Sequence, residues 1–269
     1  MKISIGSHIV EGPWGGGNLF VINLSNYLIE EGHSVVYDLI DEDIDLILLT
    51  DPRGKNSSSS SFDHNEIELY LKNVNPNTAV VHRINECDER KGTSGINEYY
   101  IEANKVADHT VFVSKFIKLF WQNKGLGIKD SSIIYTNANT KIFNSTHRSK
   151  WNQKQPLKIV THHWSANYMK GFDIYQRLDE MIILRKWKNK IKFTFIGKTP
   201  LGFYLNNSKV LEPLKDLDLS KELKRHHIYL TASRYEAAGN HYIEAIQCGL
   251  PVLHLNHGSL PEYCKDFGV

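Results

Sequence analysis

The residues of this chain best suited to chemistry lie in one continuous stretch, Ser233-Arg234-Tyr235-Glu236-Ala237-Ala238-Gly239-Asn240-His241-Tyr242-Ile243-Glu244-Ala245-Ile246-Gln247-Cys248-Gly249-Leu250-Pro251-Val252. Its pattern predicts a strand feeding a loop, the loop feeding a helix near His241 to Cys248, and Gly249 with Pro251 ending that helix before a buried strand. Gly239 and Asn240 suit an N-cap, so the free backbone N–H groups of the first turn, that of His241 included, would point at whatever binds there. Such a helix start is a ready anion site for a diphosphate. Glu244 would lie about 6 Å along the helix axis at ~1.5 Å per residue, an offset that suits a ribose. Glu236 stays in the loop, so the two carboxylates flank the phosphate site and are placed for hydroxyls of a transferred sugar and of the ribose respectively. Two ordinary surface glutamates would leave the same trace.

The elements that must hold these residues read as α/β throughout. Short apolar runs alternate with helical patterns, as in βαβ units around a parallel sheet. Lys2 to Ile5 is a first strand, about Leu19 to Glu31 a helix stopped by Gly32, Ser34 to Tyr37 a second strand, and Ile44 to Leu49 a third. Asp51-Pro52-Arg53-Gly54 and the serine run Ser57 to Ser61 read as a flexible surface loop. Ala79-Val80-Val81 and Thr110 to Val113 are further buried strands, with a helix from Asn97 to Lys105 between them. The sequence loses periodicity around Ser145 to Pro156, and the pattern restarts with Leu157-Lys158-Ile159-Val160. A boundary is expected there, giving domains 1–150 and 151–269. In the second half Phe193 to Ile196, Ile228 to Leu230 and Val252-Leu253 continue the strand rhythm.

On these residues the chain resembles the family 4 glycosyltransferases of the GT-B fold. Glu236 and Glu244 have the spacing of the family's Glu-x7-Glu signature, Gly239 sits at its loop glycine, and Ala245 with Gly249-Leu250-Pro251-Val252 continues its helix and strand. Gly258-Ser259-Leu260-Pro261-Glu262 is similar to the family's Gly-Gly-x-Pro-Glu loop, with serine for the second glycine. Trp164 to Gly171 resembles the Arg-x5-Lys-Gly element, with Lys170 on the lysine and Trp164 on the arginine. The resemblance implies two Rossmann-like lobes facing across a cleft, an acceptor lobe first and a nucleotide-sugar lobe second. It also implies a second lobe that is shortened relative to the family's usual chain.

It further implies a retaining sugar transfer without a bound metal, from a donor such as a UDP- or GDP-sugar, to a carbohydrate or lipid-linked acceptor. The family's basic pair neutralises the leaving diphosphate, where charge builds as the glycosidic bond breaks. Only Lys170 of that pair is present, so Lys198, after Phe195-Ile196-Gly197, or else His162 or His163, would supply the second positive group. Gly15-Gly16-Gly17 resembles the family's glycine-rich loop, where backbone approaches phosphate or sugar unobstructed. A tight turn, or with Asp38 a nicotinamide-binding fold, are the other readings of that run; it is not GxGxxG and lies well beyond the strand end at Ile5. His82, at the head of the polar segment after Ala79 to Val81, is the nearest match to an acceptor-side histidine.

Composition narrows the classes. With 41% hydrophobic and 23% charged residues the chain is an ordinary globular protein with a core to bury. Thirty-two basic against 30 acidic residues give a formal charge of +2, too little for a nucleic-acid field. Cys87, Cys248 and Cys264 have no CxxC spacing, which fits neither a disulfide framework nor a zinc site and suggests a reducing, cytoplasmic compartment. No stretch approaches the ~20 apolar residues of a membrane span. Membrane contact is expected to be peripheral if it occurs, through the basic and aromatic run Lys115 to Lys124, though that run reads first as a lobe helix with its apolar side on the sheet and its lysines in water. A catalytically silent sugar-nucleotide-binding protein and a nucleotide-sugar epimerase stay open beside the transferase.

Overall fold

The computed structural model describes residues 1–10 and 15–269, and it divides the chain into two units, 1–135 and 136–269. The first carries strands β1 (Lys2–Ile5), β2 (Ser34–Val36), β3 (Leu46–Leu49), β4 (Ala79–Ile84), β5 (His109–Phe112) and β6 (Ser131–Ile133). Its helices are α1 (Gly16–Glu30), α2 (His64–Asn73), α3 (Asp88–Lys91), α4 (Ile96–Ala103) and α5 (Lys115–Asn123). All strand pairs are parallel, in the order β2-β1-β3-β4-β5-β6. A parallel sheet is covered on both faces, which is why β3 is an unbroken apolar run with Ile47 and Leu49 fully buried.

Local sequence starts the helices. Asp63 accepts from the N–H groups of Asn65 and Glu66 at 2.9 and 3.1 Å, and Glu66 accepts from the Asp63 N–H at 3.0 Å, a reciprocal cap for α2. Ser114 caps α5 through the Ile117 N–H. The apolar side of α5 lies in the core, with Ile117 and Trp121 fully buried, so this run is a sheet-packing helix. Among the described residues no helix is long and apolar enough to cross a membrane.

The expected flexible loop at Ser57 to Ser61 is corrected. Asp51 gathers the segment: Arg53 donates to it through Nε and Nη2 at 2.8 and 2.7 Å, and Ser57 and Ser59 each donate at 2.8 Å. Ser60 is buried against the Asp51 carbonyl. A serine tract reads as loose by composition, but four of these donors converge on one carboxylate.

The second unit carries β7 (Leu157–His163), β8 (Ile191–Gly197), β9 (Lys209–Leu211), β10 (Ile228–Thr231) and β11 (Val252–His254), with α6 (Phe172–Met181), α7 (Asp216–Leu223), α8 (Asn240–Gln247) and α9 (Leu260–Tyr263). The strands are again all parallel, ordered β11-β10-β7-β8-β9. The chain runs from β7 outward to β9, then returns to the other side of β7 as β10. Between β7 and β10 the connections therefore diverge, which opens a crevice beyond the carboxyl ends of these strands.

The units meet in sequence between Tyr135 and Thr136, earlier than the expected 150. The aperiodic stretch belongs to the second core. Phe143 is buried there, the Ile142 carbonyl accepts from Ser220 at 2.7 Å, Lys224 reaches Asn144 at 3.0 Å, and Arg148 donates to the Gly249 carbonyl.

Candidate functional site

Three loops rise at the carboxyl end of the second sheet, after β7, β10 and β11, and they are tied to one another by backbone. The Arg234 N–H donates to the Met169 carbonyl at 2.8 Å, and the Ser259 N–H to the Glu236 carbonyl at 2.8 Å. The Tyr235 N–H donates to His257 Nδ1 at 3.0 Å. Two glycines permit this close approach. Gly171 has φ +87°, and a Cβ there would stand 2.4 Å from both Cβ and carbonyl oxygen of Ala232; at Gly258, φ +63°, it would stand 2.7 Å from the Glu236 nitrogen. Tyr235 itself has φ +50°, a conformation that costs a bulky residue roughly 1–3 kcal/mol and is held only by the surrounding ties.

Lys170 ends a short 3-10 turn, Tyr168–Lys170, capped by Asn167, which accepts from the Met169 N–H at 2.8 Å. Its ammonium forms an ion pair with Oε2 of Glu236. The Glu236 side chain is 1% exposed and that of Lys170 15%, so this is a desolvated pair rather than a surface bridge. The sequence places these two residues in separate loops; the sheet order brings them together.

Helix α8 starts where expected. Gly239 is its N-cap, with its N–H on the Tyr242 hydroxyl at 3.0 Å, and Asn240 is the first helical residue. The His241 side chain turns inward, its Nε2 3.1 Å from Thr231 Oγ1 and 3.4 Å from Ser233 Oγ, so what His241 can offer at the helix start is its backbone. Glu244, one turn on, accepts from His162 Nε2 at 2.8 Å. His162 is the partner that sequence reading missed as such; the signal was the His-His pair closing β7, beside the strand that leads to α8.

His163 is fully enclosed, bonded to the Tyr175 hydroxyl at 2.7 Å. Burial, and then the electrostatic influence of neighbouring His241, Lys170 and His162, holds its pKa well below the usual imidazole range. It is therefore uncharged at neutral pH and cannot be the second positive group. Lys198 follows β8, exposed, with its N–H on the His163 carbonyl at 3.2 Å. Trp164 lines a small recess with His162, His163, Gly197, Pro213 and Leu214. Among the described residues no group of three ligating side chains is placed to hold a metal ion.

In the first unit, Gly15 caps α1 and Gly16 and Gly17 form its first turn; a Cβ at Gly15 or Gly17 would meet nothing within 4 Å. His82 is corrected. It lies inside β4, 0% exposed, with Nδ1 3.1 Å from Asn104 Oδ1 and its ring stacked on Tyr100 at 5.5 Å between centroids. Burial pushes its pKa down to about 4. The strand continues to Ile84, three residues beyond the run that the apolar pattern marked, and this draws His82 into the core.

Residues 145–268, nearly all of the second unit, match the family model described as glycosyl transferases group 1. Among curated proteins none matches the chain by sequence. Similar solved structures include sucrose-phosphate synthase from Thermosynechococcus elongatus, 14% identical over 100% of this chain and 85% of that one, with a TM-score of 0.67. HepE of Anabaena in complex with UDP is 15% identical over 97% of this chain and 82% of that one, with a TM-score of 0.70. WaaG, a glycosyltransferase involved in lipopolysaccharide biosynthesis, is 14% identical over 100% of this chain and 85% of that one, with a TM-score of 0.65. At these identities the likeness shows the fold: two Rossmann-like units of the GT-B kind. The group 1 resemblance read from the Glu-x7-Glu and Lys-Gly motifs holds over the second unit.

Proposed function

We propose that the protein is a retaining, metal-independent glycosyltransferase that takes a sugar from a nucleoside-diphosphate donor through its second unit and serves a carbohydrate or lipid-linked acceptor through its first. The observation that carries this reading is the convergence of Lys170, Glu236 and Glu244 at the switch point between β7 and β10, inside the segment that matches group 1 glycosyl transferases. HepE, whose solved structures include one in complex with UDP-glucose, makes a UDP-sugar the first donor to try.

Each residue then has a physical task. The N–H groups at the start of α8 and the Lys170 ammonium face the diphosphate, where negative charge grows as the bond to the anomeric carbon breaks. An ammonium has three hydrogens, so Lys170 can serve Glu236 and a phosphate oxygen together. Glu236 orients that ammonium and, across the same loop, holds a hydroxyl of the transferred sugar. Glu244 accepts from the ribose. Lys198, exposed beside the end of β8, is the available second cation in place of the arginine that Trp164 supplants.

Incubation with a panel of UDP- and GDP-sugars, read by mass spectrometry, tests the reading. A transferase releases nucleotide, slowly even to water. A donor left intact but bound would identify a silent binding protein, and a changed sugar still on its nucleotide would identify an epimerase; either result overturns the proposal.

A further inference from the structure

The imidazole of His162 is enclosed by aromatic rings, and among the described residues it hydrogen-bonds through Nε2 alone, Nδ1 being buried without a partner. Its backbone N–H donates to the Tyr229 hydroxyl at 3.2 Å, and that hydroxyl returns to the His162 carbonyl at 3.3 Å. Tyr229 packs edge-on to the ring with centroids 5.5 Å apart, and His241 does so at 6.3 Å. The ring is 5% exposed. A carboxylate only accepts, so the 2.8 Å contact with Glu244 fixes the hydrogen on Nε2 and aims it at Glu244 Oε2.

The carboxylate is thus divided. Oε2 is engaged by His162, while Oε1 makes no hydrogen bond among the described residues, and the Glu244 side chain keeps 13% of its surface exposed. A free glutamate on a helix samples several rotamers; this one is narrowed to a single orientation before any ligand arrives. Preorganisation of that kind lowers the ordering cost of binding.

We infer that His162 is a positioning residue for Glu244, fixing one carboxylate oxygen so that the other meets the ribose hydroxyls of a bound nucleotide. This deepens the reading of Glu244 above and rests on it. The role acts on free nucleotide and donor alike, so its loss raises KM and leaves kcat unchanged.

Calorimetry with UDP and GDP on the wild type, His162→Leu, His162→Gln, Glu244→Ala and the double variant His162→Leu/Glu244→Ala tests it. His162→Leu should weaken the bound nucleotide about tenfold, as expected from loosening one charge-assisted hydrogen bond. His162→Gln, which carries an N–H at similar reach, should recover affinity to within about threefold of wild type. In the Glu244→Ala background His162→Leu should change nothing further. If Glu244→Ala weakens binding while His162→Leu does not, or if His162→Gln binds as poorly as His162→Leu, positioning by hydrogen bond is overturned. If Glu244→Ala itself leaves affinity unchanged, the ribose role of Glu244 fails, and that result is distinct from the first two. His162→Asn, too short to reach Glu244, should match His162→Leu and decides the matter should the leucine variant not fold.

Discussion

Replacing Lys170 by methionine removes one half of a buried ion pair. The Glu236 carboxylate is 1% exposed, so water cannot take over from the lost ammonium. Breaking such a pair from one side costs about 3–5 kcal/mol, a large part of the ~5–15 kcal/mol that holds an ordinary domain together. Glu236→Leu should cost less, because the Lys170 side chain is already 15% exposed and its ammonium can turn outward on its flexible stem. The double variant Lys170→Met/Glu236→Leu removes both charges of the pair together, so it should be more stable than Lys170→Met alone. Urea unfolding followed by circular dichroism measures all three. Losses that simply add within about 0.5 kcal/mol would refute the reasoning, since they would mean that the two groups are independent. Turnover separates structure from chemistry in the same set. If Lys170 stabilises the leaving diphosphate as proposed, the variants lacking it lose about 100- to 1000-fold in kcat. The double variant should then regain stability without regaining turnover, and recovered turnover would remove Lys170 from the mechanism.

Three further outcomes follow from the structure. Burial would raise the Asp51 carboxyl, but hydrogen bonds from Arg53, Ser57 and Ser59 outweigh it and bring its pKa down to about 2. This stabilisation is present above the ordinary carboxylate value and is lost as pH falls toward 2, so Asp51→Asn should cost about 2 kcal/mol at neutral pH and flatten the acid limb of a stability profile. His82, at about 4, works in the opposite sense: the unfolded chain binds its proton from ~6.5 downward while the folded protein refuses it. Folding should therefore lose about 3 kcal/mol between pH 6.5 and 4 through this residue. His82→Gln should reduce that slope in unfolding measurements and leave substrate KM unchanged; a raised KM would restore His82 to the site. Transfer activity should persist in excess EDTA, and activity lost there but restored by magnesium or manganese would refute the metal-free proposal.

How much of this was legible in the sequence depended on where each element lies in its sheet. Central strands such as β3 and β7 are buried on both faces, and their apolar runs mark them without help from neighbours. The edge strands β6 and β9 are three residues each, Ser131–Ile133 and Lys209–Leu211, and partly exposed, so they carry no periodic signal. Helix α2 left a signal that was not taken up, Asp63 followed three residues on by Glu66. The division at 135/136 departs from the expected 150 for a related reason. Loss of periodicity reports irregular backbone, not which core that backbone packs on, and Phe143 lies in the second core by long-range contact alone.

The site shows the same division between chemistry and pairing. Residue types and short spacings singled out Lys170, Glu236 and Glu244 as candidates, because a diphosphate and a ribose would call for those groups near a helix start. Which cation meets which carboxylate is set by contacts 66 and 82 residues apart in sequence, and only the adjacency of β7 and β10 makes them. That adjacency also settles how charge is distributed. His163 is kept uncharged by burial and His162 is committed to Glu244, so neither replaces the arginine missing at Trp164. A diphosphate bound as proposed would then meet positive charge from Lys170, from the start of α8 and from Lys198, whose backbone already anchors to the His163 carbonyl. In that proposal Lys170 would act at a reduced effective charge because Glu236 shares it, and the helix start would carry a larger part of the leaving-group stabilisation than with a paired arginine and lysine.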